Sequence, residues 1–196
     1  MPFGSKFDDS TQLQPEQNIL DIDLPKHLLH HPLVVHSFRP NVAMVILNTE
    51  DQILWCERSD IKGIWQFPQG GVDPGEDFEK AMWRELMEEL GVQNTRSYFE
   101  IIRRLDAPLC YLFPDRVIER WVNAGRVSEV GQAQHFFLLR FLGNDAQITL
   151  TPPPGEHREF ARFIWGGPEY VKQTPWFKRE VIKQALAQFG LGSTSA

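Results

Sequence analysis

From Asn41 onward, short apolar runs alternate with polar, turn-rich connections. VAMVIL (42–47) and ILWCER (53–58) are β-rich runs separated by NTEDQ, a pattern that predicts two adjacent strands. WQF (65–67) reads as a third short extended piece leading into the loop PQGGVDPGE. Asp77 to Leu90 is helical by length and residue choice, with Gly91 as its stop. YFEIIRRL, LCYLF and HFFLLRF are further strand candidates, and FARFIW (160–165) is the last. TPPPGEHREF (151–160) must be a loop, because successive prolines exclude a helix interior or a central strand. Thr174 and Pro175 form a helix-start pair. Phe177, Val181, Ala185, Leu186 and Phe189 then make one apolar stripe on a C-terminal helix. The pattern predicts one α/β domain in which strands outnumber helices.

Residues 1–37 read as an N-terminal arm, polar at first and then rich in Pro and His. His27, His30 and His31 could share a helical face, which raises the question of zinc. No Cys or clustered carboxylate completes such a set, so the expectation is an amphipathic segment packing Leu24, Leu28 and Leu29 against the body. Residues 38–190 form the expected domain, and 191–196 a short tail.

The predicted helix at 77–90 changes the picture. At about 100° per residue, Glu88 and Glu89 flank Glu85, with all three inside one arc near the C-terminal end of the helix. Like charges this close repel, and the helix dipole adds to the cost. Arg84 can pair with Glu88 but cannot offset three charges. Trp83, Leu86, Met87 and Leu90 are expected to face the core. The missing positive charge suits a hard divalent cation with oxygen ligands, and Mg²⁺ leaves room for phosphate and water.

Composition narrows the partners. The chain of 196 residues carries a formal charge of −6, which offers no broad attraction for nucleic acid or anionic membrane. A polyanionic substrate must therefore be held locally, by metal or by a few placed cations; neither DNA nor a membrane is an expected partner. Cys56 and Cys110 make no disulfide framework and no metal-binding spacing, and Cys56 is expected to be buried. The acidic N-terminus is unlike a transit peptide, and the longest clean apolar run is strand-sized, so a cytoplasmic protein is expected.

Gly70, Glu76, Arg84, Glu85, Leu86, Glu88, Glu89, Gly91 and Val92 match every specified position of the Nudix box, so the chain resembles the Nudix hydrolase family. That resemblance implies a Nudix fold, an α/β/α sandwich with a mixed sheet, binding Mg²⁺ or Mn²⁺ and cleaving phosphoanhydride bonds. It assigns Glu85, Glu88 and Glu89 to the metal, and gives Gly70, Glu76, Arg84 and Gly91 structural roles.

FRPNVAMVILN, WQFPQGG, GQAQHFFLL, REF and FKREV occur in the order found in one subgroup, resembling bacterial RNA pyrophosphohydrolases and dinucleoside polyphosphate hydrolases. This similarity spans about Phe38 to Phe189. It implies that Glu159 is a further metal or base carboxylate, with the base left open among Glu88, Glu89 and Glu159. Glu156 in the same loop is another carboxylate that could accept a proton. It implies that Arg39 and Lys178 approach phosphates, that Arg58 and Phe177 flank a nucleobase, and that Tyr111 lines the cleft. Gln132 and Gln134 are expected to support strand geometry. The chain departs from the subgroup at His135, where a Lys is usual, which makes a phosphate contact there pH-dependent or absent. The substrate implied is an RNA 5′ end or a dinucleoside polyphosphate; a non-catalytic nucleotide- or RNA-binding module is the rival of another class. Oligomeric state is not legible.

Overall fold

The computed structural model describes residues 24–192. Residues 1–23 of the expected arm and 193–196 of the expected tail lie outside the described residues. The strands are β1 (Val34–Leu47), β2 (Ile53–Arg58), β3 (Trp65–Gln66), β4 (Gln69–Gly71), β5 (Phe99–Arg104), β6 (Leu109–Leu112), β7 (Ser128–Phe141) and β8 (Phe160–Gly166). The helices are α1 (Lys26–Leu29), α2 (Phe78–Leu90), α3 (Thr95–Tyr98), α4 (Asp115–Asn123) and α5 (Arg179–Gln188).

The central path of the sheet runs β3-β2-β1-β7-β5, with β4 paired to β1, β6 to β7 and β8 to β2. β1 and β7 are parallel from Val34↔Ser128 to Leu47↔Arg140, while the remaining pairs are antiparallel, so the sheet is mixed. Strand alternation then makes two cores. Val42, Met44 and Ile46 of β1 face α2, where Ala81, Met82, Leu86 and Leu90 cover them. Ala43, Val45 and Leu47 face the opposite layer, formed by Leu28 of α1, Ile118 and Val122 of α4, and Val181, Ile182, Ala185 and Leu186 of α5. This is the α/β/α sandwich.

The caps of α2 follow the sequence. The Asp77 side chain accepts the N–H groups of Glu79 and Lys80. Gly91 closes the helix in a left-handed conformation at φ 64°, its N–H donating to Met87 O.

Several elements differ from the expectations. β1 begins at Val34, inside the segment expected as an arm, because Val34 and Val35 already pair with β7. β7 begins at Ser128, seven residues ahead of HFFLLRF, and its first half carries buried polar side chains, Gln132 and Gln134. α4 was not expected; Ile118 and Val122 give it a buried face at i, i+4 spacing. Thr174 does not cap a helix: its hydroxyl donates to Val171 O, and a 3₁₀ turn at Trp176–Lys178 precedes α5. On α2, Met87 is exposed, and Trp83 is only partly buried, its indole donating to Glu79. Among the histidines, His27 bonds Glu119 and His31 Nδ1 accepts from Leu33 N–H.

Candidate active site

Arg84 organises the acidic face of α2. Its Nε and Nη2 grip both carboxyl oxygens of Glu76 at 3.1 and 2.9 Å, and Nη2 also donates to Gly71 O at 2.8 Å. Nη1 is shared between Glu85 at 2.7 Å and Glu88 at 3.1 Å. The guanidinium thereby ties the helix to the glycine turn, and its hydrogen bonds hold the Glu76 carboxyl down at about 2.

Glu85 lies against Gly70, where a Cβ would meet its carboxyl carbon at 1.8 Å. Only a residue without a side chain admits the carboxylate there. Burial raises the pKa of Glu85, and the Arg84 hydrogen bond opposes the rise. Glu89 is raised well above the carboxylate range, first by burial and then by the charge of Glu85, with the Gln69 N–H opposing at 2.7 Å. In both carboxyls burial disfavours the charged form, so each is a buried group that a nearby positive charge would stabilise as an anion.

A divalent cation would meet that need, and the all-oxygen donor set fits a hard ion. Among the described residues, no three acidic, His or Cys side chains already converge on one metal position. Arg84 bridges Glu85 and Glu88 instead, so an incoming ion must share or displace that bridge to collect them.

Across the turn lie the cations and aromatics. The Arg39 guanidinium covers Gly71, where a Cβ would meet Nη2 at 2.5 Å. Lys178 is buried; its Nζ donates to Gln69 Oε1 at 3.0 Å and stands 5.6 Å from the Tyr111 ring centre. Burial, and then the charge of Arg58, pushes its pKa down to about 8. Tyr111 is buried and donates to Gln132; the half-buried Phe177 ring lies 5.8 Å from it. Gln134 donates to both Asn41 and Gln69, at 2.8 and 2.9 Å, which holds the Gln69 side chain against β1 and β7. Arg58 is held by a two-bond fork to Asp60 at 2.7 and 2.8 Å, and its Nη1 reaches Glu159 at 3.0 Å.

Gln69 thus joins Glu89 to Lys178, and Arg58 joins Glu159, while two residues, His135 and Glu156, stand apart. His135 stacks on Phe78 of α2 at 3.6 Å, its Nδ1 is buried without a partner, and burial lowers its pKa to about 4. It is a neutral packing ring, and no phosphate contact is available to it as a cation at neutral pH. Glu156 is exposed, with its backbone in the proline-loop turn. Gln69 and Asp60 were missed by the sequence reading. Asp60 could have been found from the Arg-x-Asp spacing at the end of β2; nothing in the pattern marks Gln69 as a link between the two sides.

A Nudix domain matches residues 37–185, and the chain belongs to the Nudix family, whose members generally use divalent metal ions. It is 39% identical over 154 residues to an RNA pyrophosphohydrolase of Klebsiella pneumoniae, covering 78% of this chain and 83% of that one. It is 37% identical over 154 residues to the chloroplastic Nudix hydrolase 26 of Arabidopsis thaliana, covering 78% and 69%. Two solved structures share the fold at 18% identity. They are the E. coli dihydroneopterin triphosphate pyrophosphohydrolase (TM-score 0.53, 77% of this chain and 98% of that) and a C. elegans Ap4A hydrolase (TM-score 0.52, 77% and 96%). No helix among the described residues is long and apolar enough to cross a membrane.

Proposed function

We propose that this chain is a Nudix pyrophosphohydrolase that removes phosphates from the 5′-triphosphate or diphosphate end of RNA and leaves a 5′-monophosphate. The observation that carries this reading is the identity to RNA pyrophosphohydrolases over most of both chains, with the complete box. The cleft chemistry supports it, since cations and aromatics stand opposite a carboxylate face.

In this reading Glu85, Glu88, Glu89 and Glu159 hold Mg²⁺ or Mn²⁺, and one of the last three takes the proton from the attacking water. The metal, when bound, neutralises phosphate oxygens and acidifies water. Arg39 and Lys178 hold the polyphosphate chain. Lys178, buried and bonded to Gln69, is oriented before substrate arrives, so little ordering is required on binding. The Arg58 guanidinium, its edge fixed by Asp60 and Glu159, offers its flat face to a base, with Phe177 as the apolar partner. Tyr111 closes the inner wall. Arg84 and Glu76 keep α2 on the glycine turn. The catalytic unit spans about residues 38–190 and works in the cytoplasm.

A dinucleoside polyphosphate such as diadenosine tetraphosphate presents the same groups to the same cleft. The test is kcat/KM on 5′-triphosphorylated RNA and on diadenosine tetraphosphate in parallel. A higher value for RNA sustains the reading. A higher value for the dinucleotide transfers the function to nucleotide hydrolysis. Turnover of neither, with nucleotide still bound, describes a non-catalytic binding module.

A further inference from the structure

Trp176 is 60% exposed, the highest among the exposed large apolar side chains of the described residues. Single exposed apolar residues are ordinary on protein surfaces. The position of this one is not. It adjoins Phe177 with ring centres 5.8 Å apart and planes at 85°, and Phe177 in turn lies 5.8 Å from Tyr111. The three rings form a contact series from a buried tyrosine through a half-buried phenylalanine to an open tryptophan. At the inner end Lys178 stands over Tyr111 and leads through Gln69 to Glu89. The series therefore runs outward from the phosphate-handling end.

The backbone under Trp176 is braced. Pro175 precedes it, the Thr174 hydroxyl donates to Val171 O at 2.7 Å, and Arg179 Nε donates to Thr174 O at 3.2 Å. A rigid turn displaying a bare indole is a stacking surface that costs little to order. Being perpendicular, Trp176 and Phe177 do not form a slot for one base; each presents a face of its own.

We propose that Trp176 stacks a base of the RNA lying beyond the one held between Phe177 and Arg58, and so makes the enzyme favour chains over mononucleotides. This rests on the RNA-end reading above. The net charge of −6 gives no overall attraction for the RNA backbone, so a gain with length would come from a local contact such as stacking. Stacking gives a gain with length that is tolerant of base identity and weakly dependent on salt.

The test is the ratio of kcat/KM for a 5′-triphosphorylated tetranucleotide to that for a nucleoside triphosphate, at low and moderate salt. The wild-type ratio should exceed one and persist as salt rises. Trp176→Ala should lower the ratio by about tenfold, within the range of one stacked base, and Trp176→Phe should recover most of it. A ratio unchanged in Trp176→Ala, or a wild-type ratio of one, overturns the proposal while leaving RNA-end hydrolysis in place. An equal loss on the tetranucleotide, the nucleoside triphosphate and diadenosine tetraphosphate means damage to the Phe177 wall, and also overturns it. If the wild type turns over no triphosphorylated RNA of any length, the RNA-end reading fails and takes this inference with it.

Discussion

Gln69 and Lys178 are joined by a 3.0 Å hydrogen bond, and Gln69 also gives its backbone N–H to Glu89 at 2.7 Å. One residue of the glycine turn thus bonds both a carboxylate of the acidic face and the buried cation Lys178. Gln69→Ala keeps the backbone donor and deletes the side-chain oxygen that accepts from both Lys178 and Gln134. The loss of one hydrogen bond to a charged group should raise KM for a triphosphate substrate by about tenfold, with a smaller change in kcat. Steady-state kinetics separates the two.

Two glycines of the box should fail in different ways. Gly70→Ala places a methyl group on the Glu85 carboxylate, which is the mobile end of a side chain and can swing away. We expect the melting temperature to hold and activity to fall on the order of a hundredfold, as for other losses of preorganised charge. Gly91→Ala meets backbone, with Thr151 O at 2.7 Å, at a φ of 64°. It should destabilise the fold by about 1 kcal/mol or more, measured by denaturant unfolding.

Lys178 titrates within reach of ordinary assays. It must be protonated to hold a phosphate, and its pKa lies at about 8. The kcat/KM profile, which reports the free enzyme, should therefore fall as pH rises through about 8. Lys178→Arg keeps its charge over this range and should remove that limb. A pH–rate series on both proteins checks it.

His135 gives a stability signature of opposite direction. Its pKa is lowered to about 4 in the folded protein, while an unfolded histidine takes up its proton near 6.5. Below about 6.5 the unfolded state binds more protons, so stability is lost as pH falls toward about 4. The loss from this one group is about 2 kcal/mol. His135→Phe, which preserves a ring against Phe78, should flatten the pH dependence by that amount in urea titrations at pH 7 and pH 4.5.

The sequence was most informative where one periodicity governed a whole element. α2 announced itself through Asp77, Gly91 and the spacing of its apolar residues, and its glutamates followed from the same spacing. The strands packed on both faces, 42–47 and 53–58, stood out as apolar runs. Legibility failed where function interrupts the pattern. The first half of β7 carries Gln132 and Gln134 inward because they serve Tyr111, Asn41 and Gln69, so the strand reads as polar until Phe136. α4 escaped notice because its apolar face is short and sits between a proline and a turn. Thr174 and Pro175 resemble a helix start, yet the threonine hydroxyl closes the preceding turn. The pairing of Arg58 with Asp60 and the linking role of Gln69 are tertiary facts.

The most direct test is to incubate a 5′-triphosphorylated oligoribonucleotide with the purified protein and Mg²⁺ and determine the chemistry of the RNA end. We expect a 5′-monophosphate end to accumulate. Glu88→Gln, which removes one box carboxylate while sparing the fold, should slow this on the order of a hundredfold or more. An RNA end that stays triphosphorylated under these conditions, or a Glu88→Gln protein as active as the wild type, would contradict the account.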